Sequence, residues 1–263
     1  MKIYCLMENT PYKPEFAAEH GLSLYIETKN HKILFDTGQS GAFADNARLM
    51  GIDLKDVDLA VLSHGHYDHG GGLMRFMEIN AKAPIYVSRH AFGKYYHGED
   101  HYIGLMQELG DQERLIFTGD DLKIDSELEI CSCNDRERKY PTDSDNMTVR
   151  EETGAHPDIF LHEQYLTICE DGKKVLISGC SHKGICNIMD WIKPDVLIGG
   201  FHLIGHDLSS GQDSVLDETA EILNQYDTEY FTCHCTGDKQ YAYMEERMGD
   251  NLHYLASGQI ITI

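Results

Sequence analysis

His64-Gly65-His66-Tyr67-Asp68-His69 places three imidazoles and a carboxylate within six positions. The stretch follows a largely apolar run, Val57-Asp58-Leu59-Ala60-Val61-Leu62, that reads as a strand. Side chains alternate along an extended segment, so His64 and His66 face the same way and two ring nitrogens can converge on one cation. Gly70-Gly71-Gly72 then permits a tight turn into Leu73-Met74-Arg75-Phe76-Met77, a helix start. Asp68 and His69 can aim at the same cation from the other side, or at a second one beside it. The stretch reads as a metal site.

Leu62-Ser63-His64-Gly65-His66-Tyr67-Asp68-His69-Gly70-Gly71 resembles the signature of the metallo-β-lactamase superfamily. Upstream, His20–Thr28 and Lys32-Ile33-Leu34-Phe35-Asp36-Thr37-Gly38 form a strand, a short turn and a second strand ending in Asp-Thr-Gly, as members of that superfamily begin. Downstream, Gly179-Cys180-Ser181-His182, Gly199-Gly200-Phe201-His202-Leu203 and Cys233-His234-Cys235-Thr236-Gly237 resemble its dihydropterin-ribofuranosyl-aminobenzene-phosphate synthase-like branch. The resemblance spans about residues 2–263 and implies a four-layer αββα sandwich.

With 263 residues and 41% hydrophobic content, the chain can bury a sizeable core. The 22 basic against 44 acidic residues give a net charge of −22, which disfavours general binding to nucleic acid or an anionic membrane surface. A small phosphorylated substrate stays compatible with that charge, because a metal centre reverses the local potential. Met1–Thr10 lacks the apolar core of a signal peptide, and no run reaches the length of a membrane span. The expectation is therefore a cytoplasmic protein whose eight cysteines are mostly free thiols. Cys131 and Cys133, at i and i+2, read as strand residues on one face.

Strands are expected at Lys2–Met7, Ser23–Thr28, Lys32–Phe35, Leu59–Leu62 and Ile85–Val87. A second series begins near Leu128 and includes Tyr165–Cys169, Val175–Ser178, Val196–Ile198, Tyr230–Thr232 and Gln259–Ile263. Helices fill Phe43–Met50, Lys183–Asp190 and Ser214–Gln225, the last with Val215, Leu216, Ala220, Ile222 and Leu223 on a stripe. No linker divides the two halves, so residues 1–263 form one domain. The polar stretch of about residues 89–158 fits this pattern worst and is expected to cover the site as a cap or loop. Tyr95, Tyr96, His97, His101 and Tyr140 are its candidate substrate contacts.

Imidazole and carboxylate donors suit zinc, iron or manganese, and a thiolate shifts the balance toward zinc. Two metals need about six ligands, so residues 64–69 cannot complete the site alone. The family resemblance places Cys180 where a bridging aspartate is usual, and His234 where the last histidine of the second metal is usual. No Pro-Gly-His block precedes Val175–Ser178, so His182 becomes the substitute third imidazole of the first metal; His162 and His156 are weaker candidates. The metal set is thus His64, His66, Asp68, His69, Cys180, His182 and His234. Cys233 and Cys235 alternate away from His234 and are expected to face the core. Asp68 and His202 are the catalytic candidates, His202 as a group that holds a developing oxyanion or a phosphate. Asp36, closing a strand, is expected to orient a ligating histidine through its other ring nitrogen.

These readings give a metal-dependent hydrolase or transferase that activates water at one or two ions, acting on a small, phosphorylated or pterin-like metabolite. The alternative is a di-iron redox or oxygen-handling protein on the same scaffold. The oligomeric state is not legible.

Overall fold

Along each main strand the apolar side chains alternate between two destinations, and this alternation builds the layers. In the computed structural model, which describes residues 1–263, Leu24 and Ile26, Ile33 and Phe35, and Val175 and Ile177 point into one cluster of 20 buried residues between two sheets. Their neighbours Tyr25 and Leu34 point outward, into a second cluster shared with the helices Ala42–Leu49 and Leu73–Ile79. Leu176 and Leu197 point outward on the other side, beneath the helices Ile185–Ile192, Ser214–Leu223 and Asp238–Met248. Strands with both faces covered must be apolar on both faces, as these are. The result is the αββα sandwich of the sequence reading.

Each sheet has seven strands. The first runs, in spatial order, Ile260–Thr262, Lys2–Met7, Ser23–Glu27, Lys32–Phe35, Leu59–Val61, Ile85–Ser88 and Leu115–Thr118. The second runs Leu252–Tyr254, Glu229–Thr232, Val196–Gly199, Lys173–Ile177, Tyr165–Glu170, Leu128–Cys131 and Asp121–Lys123. In both, four successive strands are parallel: from Lys32–Phe35 outward in the first, and from Lys173–Ile177 outward in the second. The carboxyl ends of parallel strands in open sheets form the edge where ligands sit. The segments that leave this edge carry Asp36, His64, Cys180, His202 and His234.

The 89–158 region divides. Leu115–Thr118 joins the first sheet, and Asp121–Lys123 with Leu128–Cys131 joins the second. The remainder forms a separate four-stranded sheet, Gly154–Pro157, Met147–Glu151, Tyr95–His97 and His101–Tyr102, lying over the candidate site. Its own core is four residues, Tyr95, Ile103, Met147 and Phe160. Weak periodicity in this stretch has a plain cause: its strands are short and mostly exposed, so no apolar face is repeated. No helix is long and apolar enough to cross a membrane.

The inter-sheet cluster should carry most of the stability. Phe35→Ala, at a fully buried position, is expected to cost about 3–5 kcal/mol in urea unfolding. Ile116→Ala, at a position 40% exposed, should stay within about 0.5 kcal/mol.

Candidate metal centre

The strand Lys32–Phe35 ends at Asp36, whose buried carboxylate organises the first half of the site. Its Oδ1 accepts the Ser63 backbone N–H at 2.7 Å, and its Oδ2 accepts the Ser63 hydroxyl at 2.7 Å and His69 Nδ1 at 2.6 Å. Ser63 Oγ, having donated, accepts from His64 Nδ1 at 2.8 Å. One carboxylate therefore fixes the tautomers of two histidines and leaves a bare Nε2 lone pair on each.

The second half of the chain supplies the facing groups. After the strand Glu229–Thr232 the backbone turns through a short 3₁₀ segment with His234 at φ 48°, and His234 Nδ1 donates to Asn9 Oδ1 at 2.8 Å. Its Nε2 is thereby left bare, 3.3 Å from His69 Nε2. Cys180 Sγ lies 3.1 Å from His69 Nε2, and Asp68 Oδ2 lies 3.4 Å from His69 Nε2 and 3.5 Å from His234 Nε2. On the other side His182 Nε2 stands 3.3 Å from His64 Nε2.

These separations test whether the residues fit a cation. Ligand nitrogens about 2.0–2.1 Å from a tetrahedral zinc ion are roughly 3.3 Å apart. Two lone pairs facing each other at that distance have no proton to share when both partner nitrogens already donate elsewhere. His66 Nε2 and His182 Nδ1 are also buried without a partner. The donors group as Asp68, His69, Cys180 and His234; as His64, Cys180 and His182; and as His64, His66 and Asp68. All seven residues of the metal set lie in these groups, and Cys180 belongs to two of them. The residues present fit one or two ions.

Burial and neighbouring charges act on these groups in different directions. Burial, reinforced by the neighbouring imidazoles, pushes His64 and His182 well below the usual histidine range, and His66 to about 3. Burial resists ionisation of Asp68, yet His69 and His234 outweigh it and hold the carboxyl well below its ordinary value. For His69 burial is likewise outweighed, by Asp68 and Asp36, which raise it to about 10. Burial pushes the Cys180 thiol up. Burial opposes ionisation of Cys235 too, but contacts with Cys180 and His202 hold that thiol well below the usual range.

Several participants were not foreseen. Cys235 comes back to the site because the chain turns at Cys233–Thr236 instead of continuing as a strand, which defeats the alternation argument; Cys233 does face the inter-sheet core. Asn9 and Glu8 hold His234, the latter accepting its backbone N–H at 3.1 Å. His20 Nε2 reaches Asp68 Oδ2 at 3.4 Å from the solvent side. Glu163, fully buried, accepts the backbone N–H groups of His182 and Lys183 at 2.7 and 3.0 Å. His162 is a prop: Nδ1 accepts the Gly65 N–H at 3.0 Å and Nε2 donates to Asp158 at 3.0 Å, so both nitrogens are engaged. His156 bonds Thr153 on the exposed cap edge.

A cavity of about 220 Å³ opens over the cluster between His97 and His101 of the cap and Ile204. It shares His182 and His202 with a second cavity of about 500 Å³, floored by Ile185, Phe201 and Leu203, with Tyr140 on its wall. Of the other cap aromatics, Tyr95 is buried against His162, and Tyr96 packs on Arg150.

Comparison with known proteins places this geometry. The sequence pattern of the metallo-beta-lactamase superfamily matches residues 18–218, and the chain belongs to that superfamily. It is 33% identical to the "uncharacterized protein MJ0448" of Methanocaldococcus jannaschii, over 99% of this chain and all of that one. It is 28% identical to the 7,8-dihydropterin-6-methyl-4-(beta-D-ribofuranosyl)-aminobenzene-5'-phosphate synthase of the same organism, over 99% of this chain and 96% of that one. Among solved structures, Tm1679, described as a metal-dependent hydrolase of the beta-lactamase superfamily, superposes with a TM-score of 0.85 at 26% identity, over 100% of this chain and 99% of that one.

Asp36→Asn keeps the size of the side chain but removes the charge that holds His69 and Ser63. Zinc affinity should fall about 10–100-fold, measured by competition with a chelating dye. Wild-type affinity in this variant would separate Asp36 from the site.

Proposed function

We propose that this chain is a metal-dependent hydrolase or transferase of a small phosphorylated or pterin-like metabolite. The observation that carries the reading is the convergence of His69 and His234 Nε2 with Asp68 and Cys180, at 3.1–3.5 Å spacings, beneath a cavity lined by Asp68, Cys180 and His234. Ions held by His64, His66 and His182 on one side, and by Asp68, His69, Cys180 and His234 on the other, would supply a Lewis acid and a water acidified to near neutrality. The thiol among the donors favours zinc over manganese or iron and weighs against the di-iron alternative.

The chain's own groups do the rest. Asp68 stays ionised as a ligand, and His20 beside it is half exposed and leads toward solvent. His97 and His101 of the cap narrow the approach and restrict water at the reacting centre. The adjoining cavity supports a ring-bearing substrate. Its floor is apolar, Asp143 and Glu218 are on its walls, and no lysine or arginine lines it. Such a wall suits a planar heterocycle with amino groups and repels a phosphate, which belongs at the ions. The likeness to the dihydropterin-related synthase points the same way. A polyanion is disfavoured as a partner by the net charge of −22.

The purified chain should be loaded with zinc and assayed on phosphoesters, lactones, thioesters and reduced pterins. Turnover of one class is expected, lost on chelation and restored by zinc. His64→Ala and His66→Ala should lower total metal content, whereas Asp68→Ala should release a single equivalent. Full turnover in the chelated protein, or two equivalents retained in an active Asp68→Ala, would overturn the reading.

A further inference from the structure

Three histidines of the candidate centre share a pattern: one ring nitrogen is held by a fixed acceptor, and the other faces the cluster. Ser63 does this for His64, Asp36 for His69 and Asn9 for His234. One histidine outside that set has the same pattern. His202 Nε2 is held by Asp145 Oδ2 at 2.9 Å, and its Nδ1 is buried with no partner. A ring nitrogen of His202 groups with two sulfurs, Cys180 Sγ and Cys235 Sγ, all three donor atoms lying within 4.8 Å of one another.

The backbone around this group is arranged to admit it. His202 stands at φ 56° and Ser181, beside Cys180, at φ 61°, a region that non-glycine residues rarely occupy. Gly200 leaves room for the thiol: a Cβ there would come within 2.4 Å of Cys235 Sγ. Cys235 Sγ donates a long hydrogen bond, 3.4 Å, to the Cys180 carbonyl and also contacts Cys180 and His202 through its side chain. Two sulfurs and an imidazole make a softer donor set than the groups beside it, which hold one sulfur at most.

We propose that Cys180, His202 and Cys235 form a cation site of their own, selective for thiophilic ions, that shares the Cys180 sulfur with the two positions described above. His202 is then a ligand through Nδ1, with Asp145 setting its tautomer, and is not the donor to an oxyanion that its sequence context suggests. A thiophilic ion here sits where the small cavity meets the larger one, since His182 and His202 line both. This inference does not depend on the identity of the substrate.

The test is a cadmium titration of the reduced, chelator-stripped full chain under anaerobic conditions. Bound equivalents are counted while the sulfur-to-cadmium charge-transfer absorbance is followed. Cys235→Ser should lose one equivalent and about half of that absorbance, and circular dichroism checks that it folds. Cys169→Ser, at an exposed cysteine, should match wild type in both. Asp145→Asn should weaken the same equivalent about 10–100-fold and leave the others. In the loaded wild type, alkylation of Cys235 by iodoacetamide should slow sharply. If Cys235→Ser keeps every equivalent while Asp68→Ala loses one, this site is overturned and the proposed function stands. Should neither variant lose an equivalent, both fall. Alkylation of Cys235 that is measurable in the stripped protein and unslowed by cadmium would also overturn the site.

Discussion

The carboxylate of Asp36 is the constraint on which the site depends. Three hydrogen bonds from Ser63 and His69 reach one buried anion, and through them the end of one parallel strand is tied to the segment after the next. A buried charge is costly unless every oxygen is satisfied, so the arrangement tolerates little displacement. Asp36 itself sits at φ 57°, so the backbone bends into a sparsely populated region to present the carboxylate there. What looks like a turn residue closing a strand is the fixed point from which two imidazoles are aimed.

The other half of the centre reaches that point only through the complete fold. His234 is oriented by Asn9, 225 residues away, and Cys180 meets His69 across the gap between the two sheets. Gly179 allows the approach, because a Cβ there would come within 2.2 Å of Ser63 Oγ. The donors therefore exist as a set only when both sheets are closed on each other. Any ion that binds the set stabilises the closed sandwich, and chelation acts on stability as well as on chemistry.

Local pattern made some of this legible in the sequence and long-range geometry hid the rest. Strand alternation in Ser23–Glu27 and Lys32–Phe35 was readable because each strand packs on both faces. His64–His69 was readable because six consecutive positions carry the chemistry, and Asp36 because it ends a strand. Asn9 and Glu8 look like ordinary polar residues after a strand; their role comes from a partner more than 200 residues on. Cys235 was misplaced by the assumption that the strand continued through it. His162 attracted attention as an imidazole near the missing Pro-Gly-His block, but its two hydrogen bonds make it a support for Gly65.

The cap rests on its four-residue core, against clusters of 19 and 20 in the body of the molecule. That small core is seated on the site: Phe160 stacks on His182 with ring centroids 4.5 Å apart, and Tyr95 packs on His162 at 4.0 Å. A unit held by so little apolar contact opens at a fraction of the free energy needed to unfold the sandwich. Each opening removes an aromatic neighbour from a buried imidazole and admits water to it. Material too large for the 220 Å³ cavity would then reach the centre only at the frequency of that local opening, whatever the speed of the bond-breaking step.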